Sequence, residues 1–219
     1  MEPAACVTRP RANARRRLNR RASAASVGRL ASVASMQSIR ASSVRPDPVA
    51  ASELFIEVSA ATASGPTQLA AFDAALADAG VANFNLIRLS SVIPPGSVVR
   101  HVDRTGQVID LTSPAGGPKG GWGDRLYAVW AFQGAEKLGE EAWAGVAWVQ
   151  DPSDGRGLFV EHEGTSESQV REELQATLSA ISVARGLDHL EQRSVVAGVR
   201  CEGHPVAALV VAPFATASW

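Results

Sequence analysis

The stretch Asn83-Phe84-Asn85-Leu86-Ile87-Arg88-Leu89-Ser90-Ser91-Val92-Ile93-Pro94-Pro95-Gly96 is a short strand that runs into two serines and then two prolines. Leu86, Ile87 and Leu89 are good strand formers. Pro94 and Pro95 cannot donate to a sheet ladder and hold φ near one value, so Val92-Ile93 is expected to leave the sheet as an extended segment. Ser90-Ser91 therefore sits at a constrained strand end.

Upstream of it, Leu54 to Ser59 reads as a first strand, and Gly65-Pro66-Thr67 opens a helix with Thr67 as N-cap and Gly80 as its stop. Leu69, Phe72 and Leu76 fall at i, i+3 and i+7, the spacing of a face that packs on a sheet. Asp73 lies beside that face.

Downstream, residues 97 to 124 read as irregular except for a short strand at Gln107 to Thr112. The loop Gly116 to Gly123 holds Lys119, but it has no Gly-Lys-Ser/Thr and no following helix signal, so it reads as a connection rather than a phosphate cradle. Leu126 to Phe132 and Ala142 to Val149 are densely apolar, as central strands are. Gly157 to Gly164 is a further strand that ends in carboxylates. Ser166-Glu-Ser-Gln169 has the form of a capping box and opens a helix that stops at Gly186, with Val170, Leu174, Leu178 and Ile181 on its buried face. Strands at Ser194 to Val199 and Val206 to Val211 follow. Strands outnumber helices and do not alternate with them, which argues an α+β layered domain.

The 219 residues allow one domain with a tail. The net charge of −1 hides an asymmetry: residues 1 to 50 carry ten arginines against Glu2 and Asp47, leaving 11 basic and 20 acidic residues in the body. An acidic body attracts cations and repels nucleic acid. Two distant cysteines, Cys6 and Cys201, suggest neither a disulfide framework nor a metal site, which favours a reducing compartment such as the cytoplasm. No run is long enough to span a membrane. The Arg/Ala/Ser-rich residues 1 to 50 read as a disordered leader. Their composition fits an organelle transit peptide and equally a basic tail without an address; nucleic-acid binding by the arginine clusters is a lesser option. The domain is then 51 to 219.

A serine at such a strand end suits one uncommon reaction. The Ser91 hydroxyl attacks the Ser90 carbonyl, the peptide bond becomes an ester, and β-elimination leaves residues 1 to 90 as one chain and 91 to 219 as another that begins with a pyruvoyl group. A ketone of this kind takes an amine as a Schiff base and serves as an electron sink. The motif N-x-N-L-I-R-x-S-S-x-x-P-P resembles the processing site of the pyruvoyl-dependent arginine decarboxylase family, and the resemblance extends from about Phe55 to the last residues.

The resemblance implies a four-layer αββα sandwich of the pyruvoyl-dependent histidine/arginine decarboxylase type. It also implies a homotrimer, or a hexamer of paired trimers, with each site shared across a subunit boundary, and a reaction that turns L-arginine into agmatine and carbon dioxide. Its covalently bound pyruvoyl cofactor would come from Ser91, with cleavage between Ser90 and Ser91. Asn85 would donate its side-chain amide to the oxyanion formed at the Ser90 carbonyl. Gly157-Leu-x-x-Glu-x-Glu-Gly164 matches a family motif whose first glutamate is catalytic, which makes Glu161 the proton donor and Glu163 a weaker second. Strand alternation puts these two on one face and His162 on the other. Leu-x-x-Phe-Asp, here Leu69 to Asp73, matches a family motif whose aspartate lines the substrate pocket, which makes Leu69 and Asp73 substrate-binding residues with Asp73 facing the guanidinium. Ala82 stands where the family has glycine, and Phe84, bulkier than the valine of Asn-Val-Asn, bears on the pocket's size and leaves decarboxylation of another cationic amino acid as the alternative.

Other chemistries fit less well. No Gly-x-Ser-x-Gly elbow supports a Ser-His hydrolase. Lys119 and Lys137, the body's only lysines, lie in loops without a pyridoxal phosphate context. No His/Cys cluster has zinc-ligand spacing. The remaining rival is an unprocessed, non-catalytic trimeric relative.

Overall fold

The computed structural model describes residues 54–103 and 118–219. The Arg-rich leader and the strand expected at Gln107 to Thr112 lie outside the described residues. The elements are β1 (Leu54–Ser64), α1 (Gln68–Asp78), β2 (Asn85–Arg88), β3 (Val92–Ile93), β4 (Ser97–His101), β5 (Arg125–Ala135), β6 (Glu141–Gln150), β7 (Gly157–Gly164), α2 (Glu167–Arg185), β8 (Gln192–Arg200) and β9 (Val206–Ala217).

They form two sheets, ordered β2-β5-β9-β1-β4 and β3-β7-β6-β8. Three separate cores show how these stack. Ile56, Val129 and Val210 of the first sheet meet Val146, Trp148 and Phe159 of the second. Ala71, Ala75 and Leu76 of α1 pack on Leu126, Ala128, Leu209 and Val211, on the other face of the first sheet. Val170, Leu174 and Leu178 of α2 pack on Ala147, Leu158 and Val160. Helix, sheet, sheet, helix is the αββα sandwich that the family resemblance implies. Alternation within β7 makes it possible, because Phe159 faces the opposing sheet while Leu158 and Val160 face the helix.

Both helices start at a side-chain cap. Thr67 Oγ1 accepts from Ala70 N at 3.1 Å, and Ser166 Oγ accepts from Gln169 N at 3.3 Å. Only half of the expected capping box forms, since the Gln169 side chain donates to Glu173 instead. α2 stops at Gly186, whose φ of 68° suits a residue without Cβ.

Three expectations need correcting. Val92-Ile93 does leave the first sheet, but it does not run free: Val92 pairs with Leu158 and Ile93 with Gly157 in the second sheet. Residues 97 to 101 are not irregular, since they form β4, parallel to β1. Leu69 is 75% exposed, although the spacing predicts a buried position. α1 makes its contact through Ala71, Ala75 and Leu76, with Ala79 just past its end, and the small alanines bring the helix close to the sheet and leave the first-turn leucine outside.

A glycine fixes the seam where β3 joins. A Cβ on Gly157 would lie 2.1 Å from Val149 O, a backbone atom that cannot step aside. Gly157→Ala is therefore expected to lower stability by about 1–3 kcal/mol. Gly145→Ala, which meets only the side chains of Leu174, Val170 and Val196, should cost less; chemical denaturation of the two variants would check the order.

Candidate active site

β2 delivers the serine pair. It runs parallel to β5 over Asn85–Arg88, and Leu89 N still donates to Ala128 O at 3.0 Å, so Leu89 is the last residue of this segment tied to the first sheet before the chain crosses. Ser91 is the first tied to the second, because Phe159 N donates to Ser91 O at 2.8 Å. Ser90 spans the crossing and is exposed, while Ser91 is half-buried.

Ser91 has φ +66°, and it is the only residue besides glycine with positive φ among the described residues. Its hydroxyl donates to Glu161 Oε1 at 2.5 Å. A hydroxyl on a carboxylate is a short, charge-assisted bond, and the pair lies on the face of β7 that looks toward the first sheet, next to Phe159. Serine and glutamate are 70 residues apart in sequence and meet only because β3 pairs with β7.

The neighbours of Glu161 on β7 are kept away from it. The His162 ring points toward α2, with Nε2 2.8 Å from Thr177 Oγ1 and Nδ1 3.3 Å from Glu173 Oε2. Glu163 shares the Glu161 face but is exposed.

Asn85 is elsewhere. Its amide donates to Gly123 O at 2.6 Å, not to the Ser90 carbonyl, and its own N–H donates to Asp124 O at 2.8 Å. Five residues of extended chain, roughly 16 Å, separate it from Ser90. The oxyanion contact expected from the sequence is thus not made within one chain. Asn85 instead pins the 121–124 turn, where Gly123 has φ +83° and its carbonyl also accepts from Trp219 Nε1 at 2.8 Å.

Asp73 and Leu69 share the outer face of α1, one turn apart, and both are exposed. The structure forms no bond between Asp73 and Ser91 or Glu161 among the described residues. Phe84 does not narrow a pocket. It is 8% exposed, in the core beneath α1, with its ring close under Gly120. Arg88, which carried no role in the sequence reading, stacks its guanidinium on the Trp130 ring at 4.3 Å and donates to Trp130 O at 2.7 Å, locking β2 onto β5. No sequence signal marks the Phe159 N–H, since every non-proline residue carries one.

Among the described residues no group of three or more His, Cys, Asp or Glu is placed to hold a metal ion, and no helix is long and apolar enough to cross a membrane.

A serine hydroxyl bonded to a carboxylate at a sheet-to-sheet crossing sets a nucleophile beside a base. The family model described as pyruvoyl-dependent arginine decarboxylase matches residues 55–218. The pyruvoyl-dependent arginine decarboxylase of Halobacterium salinarum is 37% identical over 157 residues, covering 68% of this chain and 86% of that protein. The enzyme of the same name from Methanocaldococcus jannaschii is 30% identical over 145 residues, covering 64% and 78%. A solved pyruvoyl-dependent histidine decarboxylase is similar over 44% of this chain and 53% of its own, at 21% identity and a TM-score of 0.32. The chain belongs to the pyruvoyl-dependent arginine decarboxylase family, a family of carboxy-lyases whose name specifies a covalently bound pyruvoyl cofactor.

Replacing Asn85 by alanine should loosen the 121–124 turn by about 1 kcal/mol, the usual worth of one such bond. Faster amide hydrogen exchange at Gly123 and Asp124, with no change in α2, is the expected result.

Proposed function

We propose that this protein is made as a precursor that cuts itself between Ser90 and Ser91, and that the two-chain product converts L-arginine to agmatine and carbon dioxide. The observation that carries the reading is the 2.5 Å bond from Ser91 Oγ to Glu161 Oε1. Glu161 takes the hydroxyl proton as Oγ attacks the Ser90 carbonyl carbon. The Oγ–C bond forms, the C–N bond breaks, and the proton passes to the departing nitrogen. Loss of the Ser91 Cα proton then expels the Ser90 carboxylate from Cβ. Water adds to the resulting enamine and ammonia leaves.

The residues fit the group that this sequence makes: Ser91 is half-buried beside a carboxylate, and Ser90 before it is exposed. A pyruvoyl group supplies a ketone for amine capture and an electron sink for the carbon that loses carbon dioxide. Glu161 then returns a proton to that carbon, a donor role worth about 10²–10⁴ in rate.

The guanidinium end of the substrate needs a carboxylate. Asp73 is exposed and its neighbour Leu69 is a large apolar side chain standing in solvent, which supports a site completed by α1 of a neighbouring copy in a homotrimer. Asn85, also distant from Ser91 in its own chain, would reach a site by the same route.

Intact-mass measurement of purified protein should find two chains, 1–90 and 91–219, the second with a blocked terminus. Ser91→Ala should stay whole and inactive, and Glu161→Gln should slow carbon dioxide release at least 100-fold. A single uncut chain in wild-type material would overturn the reading. Rates with arginine, lysine and ornithine address the substrate: Asp73→Asn should raise KM for arginine far more than it lowers kcat.

A further inference from the structure

Ser91 is held in a conformation that L residues avoid, and the two bonds that hold it come from the same strand. Phe159 N–H fixes its carbonyl and Glu161 its hydroxyl, while Leu89, two residues earlier, is still fastened to Ala128 in the opposing sheet. Stacked sheets lie about 10 Å apart and an extended residue covers roughly 3.3 Å, so Leu89 to Val92 crosses with no residue to spare.

The torsion has a chemical consequence. Attack of Ser91 Oγ on the Ser90 carbonyl carbon closes a five-membered ring through N, Cα and Cβ. The ring can close only if Cβ lies on the same side of the N–Cα bond as that carbonyl carbon. At the negative φ of ordinary helices, near −60°, Cβ of an L residue is anti to the preceding carbonyl carbon and the ring cannot form. At φ +66° Cβ swings to gauche, which is the crowding that makes the left-handed region costly for any residue with a Cβ.

We infer that the left-handed conformation of Ser91, imposed by the one-residue crossing between Leu89 and the Phe159 N–H, is the positioning element of self-cleavage. This rests on the self-cleaving reading above. In cleavage the Phe159 N–H and the Ala128 carbonyl are positioning groups: they bond Ser91 O and Leu89 N, not the reacting Oγ, the Ser90 carbonyl carbon or the Ser91 nitrogen, and they set the approach of Oγ. The bond made is Oγ to the Ser90 carbonyl carbon, the bond broken is that carbon to the Ser91 nitrogen, and the hydroxyl proton travels through Glu161 to the nitrogen. No redox partner is needed. Cleavage also removes the crossing, so the conformation that promotes the reaction disappears with it.

Two uncleavable full-length variants test the conformation without reference to activity. Glycine accepts positive φ at no cost and alanine does not, so Ser91→Gly should melt about 2–4 °C above Ser91→Ala. In a Ser91→Ala background, which keeps the chain whole, Ser90→Gly should melt below Ser90→Ala, because Ser90 does not have positive φ. Equal melting of Ser91→Gly and Ser91→Ala, or a lower value for the glycine variant, would overturn the inference. Its consequence is tested by inserting one glycine between Leu89 and Ser90: mass spectrometry should show the slackened precursor cutting at least ten-fold more slowly than wild type. Cutting at the wild-type rate would refute the positioning role even if wild-type cleavage itself is confirmed. An uncut wild-type chain would instead remove the self-cleaving reading, and with it the catalytic meaning of the torsion.

Discussion

The passage of the chain from one sheet to the other between Leu89 and Val92 is the constraint on which the site depends. Strands of a sheet are held by ladders of backbone bonds and cannot drift singly, so a residue caught between two ladders inherits the geometry of both. Leu89 answers to Ala128 and Ser91 answers to Phe159. Everything between is fixed by the separation of the sheets, which the inter-sheet core of Val129, Val210, Val146 and Phe159 maintains. The positive φ of Ser91 follows from this arrangement, since nothing local to a serine favours it.

The same sandwich sorts the polar groups of β7. Alternation sends Glu161 toward the opposing sheet, where Ser91 meets it, and His162 toward α2, where Glu173 and Thr177 receive it. The histidine therefore neither competes for the serine hydroxyl nor supplies a Ser-His pair. At the opposite end of β2, Asn85, Gly123 and Trp219 form a second polar knot that holds the start of β2 and the start of β5 together. β2 is thus anchored at both ends, with the Arg88 guanidinium stacked on Trp130 between them.

Much of this was readable in advance, and the misses have identifiable causes. Strands β5, β6, β7, β8 and β9 and both helices stand where apolar runs and capping residues put them, because those signals arise from burial and from local backbone bonds. β4 was missed, since Ser97 to His101 lies close after two prolines and its parallel pairing with β1 is a non-local bond. Leu69 was misplaced because helical spacing gives the direction of a face but not where the sheet beneath it ends. Phe84 was expected to crowd a pocket and instead fills the core under α1, for a bulky apolar residue at a strand start is drawn to whichever cavity is dry.

By itself the sequence determined the layer composition, the serine pair at a strand end, and the glutamate at the end of β7, since each follows from periodicity, proline chemistry or a motif. The tertiary structure alone decided that Val92-Ile93 changes sheets, that Ser91 meets Glu161 across 70 residues, and that Asn85 and Asp73 point away from them within one chain. Those facts depend on which strand edges pair and how far apart the sheets stand. These are long-range balances of packing and backbone bonding that no window of sequence contains.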